Sequence, residues 1–330
     1  MWHANCVRIE SGRKKGRKQM NWKTLILGVT LSGLAAGPIV AQGPPINTET
    51  AFVTGLNGAA FRLFALTMRK SKLLKDGSKV FDPMDREVRV VAIPLMFPYE
   101  LIPNRLVVGA GVPYLDKALH LTQDGIRQTL SDTGFGDLSL FAKYQLLQRD
   151  APRRTTRVTF KGGLKLPTGE HEATDGEGSL LPRGLQLGTG SVDYAAGLIF
   201  THSAGRLGLN ADAVYQFNRE IDGFKFGDAL NYDFAVGYRI YPSVYGTYPS
   251  PYATVYLEAN GQFNRKDRVG GQTIEDSGGH TLFLSPGVQY VPFGALALEA
   301  SVQVPILQAL NGTQLGTDFV FKAGIQWLAF

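Results

Sequence analysis

Hydrophobic and polar positions alternate with a period of two along most of the chain. In residues 281–305, Leu296, Leu298, Ala300, Val302 and Val304 share one face of a candidate strand, and Glu299, Ser301 and Gln303 share the other. The preceding arm places Leu282, Leu284, Val288 and Tyr290 opposite Ser285 and Gln289, and Pro292, Phe293 and Gly294 turn the chain between them. Side chains that change face at every residue define a β-strand. The same alternation runs through Leu138–Leu146, Val158–Leu166, Tyr194–Phe200, Leu207–Phe217, Leu230–Tyr238 and Val255–Phe263. A two-layer sandwich and a membrane barrel both alternate in this way, so period alone does not say whether the apolar face meets a core or lipid.

The connections separate the two. The pattern yields twelve candidate strands, the first within 50–67, and long polar connections are expected at 68–85, 115–133, 167–190, 267–279 and 306–316. Between them fall shorter turns marked by Pro or Gly, at 98–104, 148–154, 203–205 and 292–294, with a longer Pro-rich one at 242–251. Segment 219–226 is short for its side. Long loops at one end and tight turns at the other, on an even number of antiparallel strands, are the arrangement of an outer-membrane barrel. The polar faces carry Lys143, Lys161, Lys165, Asp193, Asp212, Asp233, Arg239, Glu258, Glu299 and Gln303, which are the candidate lumen residues. So many ionisable groups do not fit a small dry core and do fit a wet interior. The expected fold is therefore all-β, an antiparallel up-and-down transmembrane barrel of twelve strands. Eight strands leave an interior filled by side chains and roughly 16 to 18 an aqueous channel, so twelve implies a narrow conduit. Glu299 and Gln303 are expected to tolerate polar exchange.

The net charge of +6 does not make the chain a nucleic-acid binder. The excess sits in Arg8, Arg13, Lys14, Lys15, Arg17, Lys18 and Lys23, and beyond residue 41 the two signs balance. Met20 and Lys23, the apolar run Thr24–Ala36 and the small-residue end Ile39-Val40-Ala41 read as an export signal cut before Gln42. Residues 1–19 then form an upstream segment without structural role, 20–41 the signal peptide and 42–330 the barrel. The one cysteine, Cys6, precedes the cut, so the exported chain is expected to have neither disulfide nor thiol chemistry.

Four stretches, GFGDLSLFAKYQLL at 134–147, FKGGLKLPTGE at 160–170, LGTGSVDYAAGL at 187–198 and SGGHTLFLSPGVQYVP at 277–292, resemble outer-membrane proteins associated with phenol meta-cleavage degradation pathways. The resemblance runs from about residue 134 to the C-terminus. It implies an outer-membrane barrel that passes small aromatic or hydrophobic molecules. The expected partners are outer-membrane lipid, the barrel-assembly machinery and an unidentified small solute. Such barrels commonly end in an aromatic residue read by that machinery, here Phe330. Phe319, Phe321, Ile325 and Trp327 lie on the other face from Lys322, Gln326 and Phe330, so a one-residue bulge near Leu328 would be needed to turn Phe330 to lipid.

A structural or adhesive barrel and a barrel hydrolase remain as alternatives. For the hydrolase, His120 and His171 fall in loops and His202 and His280 near strand ends, and none precedes a Ser-Asn pair as in outer-membrane phospholipases. His171-Glu172 lacks the second histidine of a zinc-protease motif. Asp175 and Glu177 lie in a glycine-rich loop without EF-hand spacing. No enzyme activity, cofactor or metal is expected. Lys143, Lys161 and Lys165 form either a basic patch or, with Asp193 and Asp212, a structural charge network.

Overall fold

A computed structural model of the chain describes residues 44–52, 60–243, 250–293 and 296–328. The expected upstream segment, signal peptide and cleavage site, Cys6 and Phe330 lie outside the described residues.

Twelve antiparallel strands form the wall: β1 Ala60–Lys75, β2 Glu87–Ile102, β3 Leu106–Gln123, β4 Leu138–Ala151, β5 Arg154–Leu166, β6 Asp193–Ala204, β7 Leu207–Phe217, β8 Ala229–Tyr241, β9 Tyr252–Asn264, β10 Gly279–Phe293, β11 Leu296–Leu310 and β12 Thr313–Leu328. Each pairs with its neighbours in sequence, and β12 pairs back onto β1 from Ala60↔Leu328 to Lys75↔Thr313, closing the sheet. Closure satisfies every wall strand on both edges, the condition for a sheet to stand in hydrocarbon.

Burial follows the alternation, with the apolar side outward. Leu257 is 51% exposed and Glu258 beside it 0%; Val288 is 46% and Gln289 0%; Leu298 is 42% and Glu299 4%. A sandwich would bury the leucines. An apolar exterior around a polar interior is the distribution lipid requires.

The turns joining β2–β3, β4–β5, β6–β7, β8–β9 and β10–β11 lie at the end where β1 begins and β12 ends. The opposite end carries the long excursions. Several elements there differ from the sequence reading. β1 begins at Ala60, part-way through the 50–67 segment expected to form the first strand, and its second half occupies the segment read as loop from 68. Residues 115–133 are not a loop: β3 continues to Gln123, and 126–135 returns beside it from Tyr114↔Phe135 to Gln123↔Ile126. Segment 306–316 is the end of β11 and the start of β12, joined by Asn311 and Gly312. The short 219–226 segment holds two two-residue strands that join 268–269 and 272–273 in a small four-stranded sheet over this end.

These errors share a cause. Strands that project past the lipid band have no apolar face to display, so alternation fades while the ladder continues. A signal remained in the turns: Asp76-Gly77, Asp124-Gly125 and Asp222-Gly223 each take positive φ at both residues, 49° and 78°, 51° and 75°, and 50° and 73°. That is the Asp-Gly signature of a tight hairpin.

Candidate functional site

Inward-facing residues of the wall meet a strip of chain that precedes it. Residues 44–52 run inside the barrel, with Ile46, Thr48 and Ala51 all but fully buried. Glu258 on β9 organises the strip. Its carboxylate accepts hydrogen bonds from the backbone N–H groups of Ile46 (3.1 Å), Asn47 (3.1 Å) and Thr48 (2.7 Å), from the Thr48 hydroxyl (2.7 Å) and from Asn47 Nδ2 (3.2 Å). Three successive N–H groups turned on one oxyanion make a backbone nest with the anion supplied by the wall.

On one side of the nest, Arg62 on β1 donates to the carbonyls of Pro45 and Ile46 at 3.2 Å each and pairs with Glu299 at 2.7 Å. Lys322 on β12 donates to the Ile46 carbonyl at 2.5 Å, Gln289 on β10 to that of Pro44 at 3.1 Å, and Asn47 Nδ2 to Ser301. On the other side, Lys143 on β4 and Lys161 on β5 are directly opposed across the ladder. Two cations so placed repel, and Glu49 of the strip lies between them, ion-paired to Lys143 at 2.5 Å and to Lys161. The Glu49 N–H donates to Asp212 at 2.8 Å, and Asp212 is the cross-strand neighbour of Asp233, which accepts from Asn260 at 2.9 Å. Beyond Glu49, the Ala51 N–H donates to Thr201, Thr159 donates to the Ala51 carbonyl, and Arg157 lies 4.8 Å from the Phe52 ring centre.

The candidate lumen residues therefore divide into groups. Lys143, Lys161, Asp212, Glu258 and Glu299 surround the strip, with Asp233 next to it through Asp212. Lys165 pairs with Asp193 and, at 3.3 Å, with Asp137, a structural network at the long-loop end. Arg239 is buried with its guanidinium 4.4 Å from the Tyr252 ring centre. Gln303 lines open space. Sequence reasoning missed Arg62, Glu49 and the strip itself, because most of their contacts join residues far apart in the chain and leave no local pattern; the even-face position of Lys322 was visible but not its role.

Further along the wall strands, toward the long loops, the interior holds a vestibule of about 580 Å³. Its wall is an arc of β1, β12, β11, β10, β9 and β7: Leu66, Met68 and Lys70, then Thr317 and Val320, Gln303 and Gln308, Thr281 and Phe283, Gln262, and Gln216. Phe226 and Asp267 from the loops overhang it. Amides and hydroxyls alternate with apolar side chains, and Lys70 is the only cation among the described lining residues.

No hydrolytic constellation forms among the described residues. His202 Nδ1 meets the Thr156 hydroxyl at 2.8 Å and His280 Nε2 the Tyr232 hydroxyl at 2.6 Å, neither with a carboxylate. His171 and Glu172 approach Asp222 on the exposed loops. Asp175 Oδ1 accepts from the N–H groups of Glu177 and Ser179 at 2.9 Å each, a turn-forming role.

The family model described as "Putative MetA-pathway of phenol degradation" matches residues 72–322. Among solved structures, an outer membrane channel from Pseudomonas putida F1 aligns with 87% of this chain and 100% of its own at a TM-score of 0.62 and 14% identity. The transport unit of the autotransporter AIDA-I from Escherichia coli aligns with 84% of this chain and 92% of its own at 0.45 and 11%. No curated protein matches the chain.

Proposed function

The chain belongs to this phenol-degradation family and is an outer-membrane β-barrel, and from that premise we propose that it is a conduit for small, largely apolar molecules, held shut by its own residues 44–52. The observation that supports this reading is the lumen: a vestibule of about 580 Å³ and, further along the same wall strands, a strip that belongs to no strand, held across the interior by Arg62, Glu258 and Lys322. A barrel serving only as a structural element has no use for a cavity of mixed amide and apolar lining. The strip is held by polar contacts to side chains rather than by ladder pairing, so it can leave the lumen without breaking the wall. When it does, Lys143, Lys161, Glu258 and Glu299 face water, which a wet lumen tolerates.

The test is conductance in planar bilayers. The parent carries little current, and a barrel lacking residues 44–52 carries a multiple of it. Glu258→Ala, which frees three N–H groups, falls between them; hydrogen bonds to a charged acceptor are worth about 1.5–3 kcal/mol each, so losing even one shifts the closed-to-open ratio by about tenfold or more. Phenol added to the open form reduces the current by occupying the lumen. A truncated barrel that folds, shown by an unchanged strand signature in circular dichroism, yet conducts no better than the parent would overturn the conduit and favour a structural barrel.

A further inference from the structure

We propose that the vestibule is a recognition site for a small organic monocarboxylate with an apolar body, and that Lys70 is the residue that binds its carboxylate. The inference rests on the conduit reading and names its solute class. Lys70 stands on the inner face of β1 two residues beyond Met68, where a bulge at Lys70–Lys72 interrupts the pairing with β12. The nearby acids are engaged elsewhere. Glu87 pairs with Arg69 and Arg89, and Asp318 with Arg69, Lys72 and the Ser71 hydroxyl. Among the described residues no carboxylate pairs with Lys70 and no hydrogen bond holds its ammonium. Every other luminal lysine has an oxygen partner: Lys143 and Lys161 have Glu49, Lys165 has Asp193, and Lys322 has the Ile46 carbonyl. A sheltered ammonium with no counter-charge is costly unless water or a ligand anion meets it.

The rest of the vestibule fixes what that anion can be. One cation balances one negative charge, so a dianion such as sulfate would leave charge uncompensated. Among the described residues no hydrogen bond engages the side chains of Gln262 and Thr281, cross-strand partners on β9 and β10, or of Gln303 on β11, and these offer donors to a carboxylate. By contrast, Gln308 and Gln314 are tied to backbone carbonyls. Met68 and Phe283, with Val320, supply an apolar surface on the same arc for the body of the solute. Asp267 faces the same space, but its carboxylate accepts from the Gly227 N–H at 2.7 Å, which anchors it to the loop.

The experiment is calorimetric titration of the refolded full chain in detergent with benzoate, against benzyl alcohol as the neutral counterpart and inorganic sulfate as the dianion. Benzoate binds more tightly than either. Lys70→Met weakens benzoate by about tenfold or more, the worth of a hydrogen bond to a charged group, and leaves benzyl alcohol unchanged; Lys70→Arg keeps benzoate within about threefold. Melting curves of both variants show the fold retained, as expected where no partner is removed. Equal affinity for benzoate and benzyl alcohol in the parent, or unaltered benzoate affinity in Lys70→Met, overturns the proposal. A barrel that binds benzoate through Lys70 but never conducts upholds this site and removes the conduit, and a conducting barrel indifferent to Lys70 does the reverse.

Discussion

A single acid changes meaning when its surroundings are known. By strand parity Glu299 was an open-lumen side chain free to exchange for another polar group. In the structure it is buried against Arg62 at 2.7 Å, within reach of Gln289 at 3.3 Å, beneath the strip. Neutralising it leaves Arg62, whose side chain is 24% exposed, without its ion partner. Removing one member of a buried pair costs about 3–5 kcal/mol, and the partial exposure of Arg62 argues for the lower end. Glu299→Gln is therefore expected to lower the unfolding free energy by about 3 kcal/mol in urea titrations, whereas Gln303→Glu, at the vestibule, stays within about 1 kcal/mol. Parity told which way Glu299 points. It could not tell that a strip of chain more than 240 residues away would cover it.

At the scale of the strand and its loop, the sequence was legible wherever lipid imposed a rule. β9, β10 and β11 show clean alternation because each apolar residue faces hydrocarbon, and the exposures of Leu257, Val288 and Leu298 follow it. Leu298→Arg is expected to cost about 2–4 kcal/mol at a midplane site, seen as a lower denaturant midpoint in vesicles, with no such loss in the exposed-loop variant Glu177→Ala measured in the same way. Legibility ends where the lipid ends, as β1 beyond Met68 and the 114–135 hairpin show. The small loop sheet is held differently: Asp267 ties its own loop to Gly227. Burial pushes the Asp267 carboxyl above the ordinary aspartate range, against the pull of that hydrogen bond. An acid raised in the fold favours the folded loop when protonated and gives up that stability as pH rises from the ordinary aspartate range through the raised value. Asp267→Asn, whose amide oxygen can still accept from Gly227, is accordingly expected to protect the 218–228 and 265–278 amides against hydrogen exchange at pH 7 more than the parent, with the difference vanishing near pH 4. A larger difference at pH 4 than at pH 7 would mean the carboxylate stabilises the loop.

For the whole molecule, the question is how a strip so well anchored could leave the lumen at all. At one end of the strip the Pro44 carbonyl meets Gln289, and at the other Ala51 meets Thr159 and Thr201, ahead of β1 in the sequence, which begins at Ala60. If the export signal is cut before Gln42, only Gln42 and Gly43 precede Pro44, and the strip is fixed to the wall covalently at one end alone. A segment tethered once can swing out as a unit by giving up its contacts with Glu258, Lys143, Lys161 and Arg62 in turn. Held at both ends, it would have to move as a loop inside a closed ring of strands, with much less freedom to clear the lumen. Processing would then determine whether the barrel can open. The expectation is that protein recovered from outer membranes begins at Gln42 by terminal sequencing, and that Ala41→Arg, which spoils the small-residue cleavage site, yields uncut barrels with far fewer opening events in planar bilayers. Uncut barrels that open as often as the parent would show that the free end is dispensable and that the strip is displaced within the lumen instead.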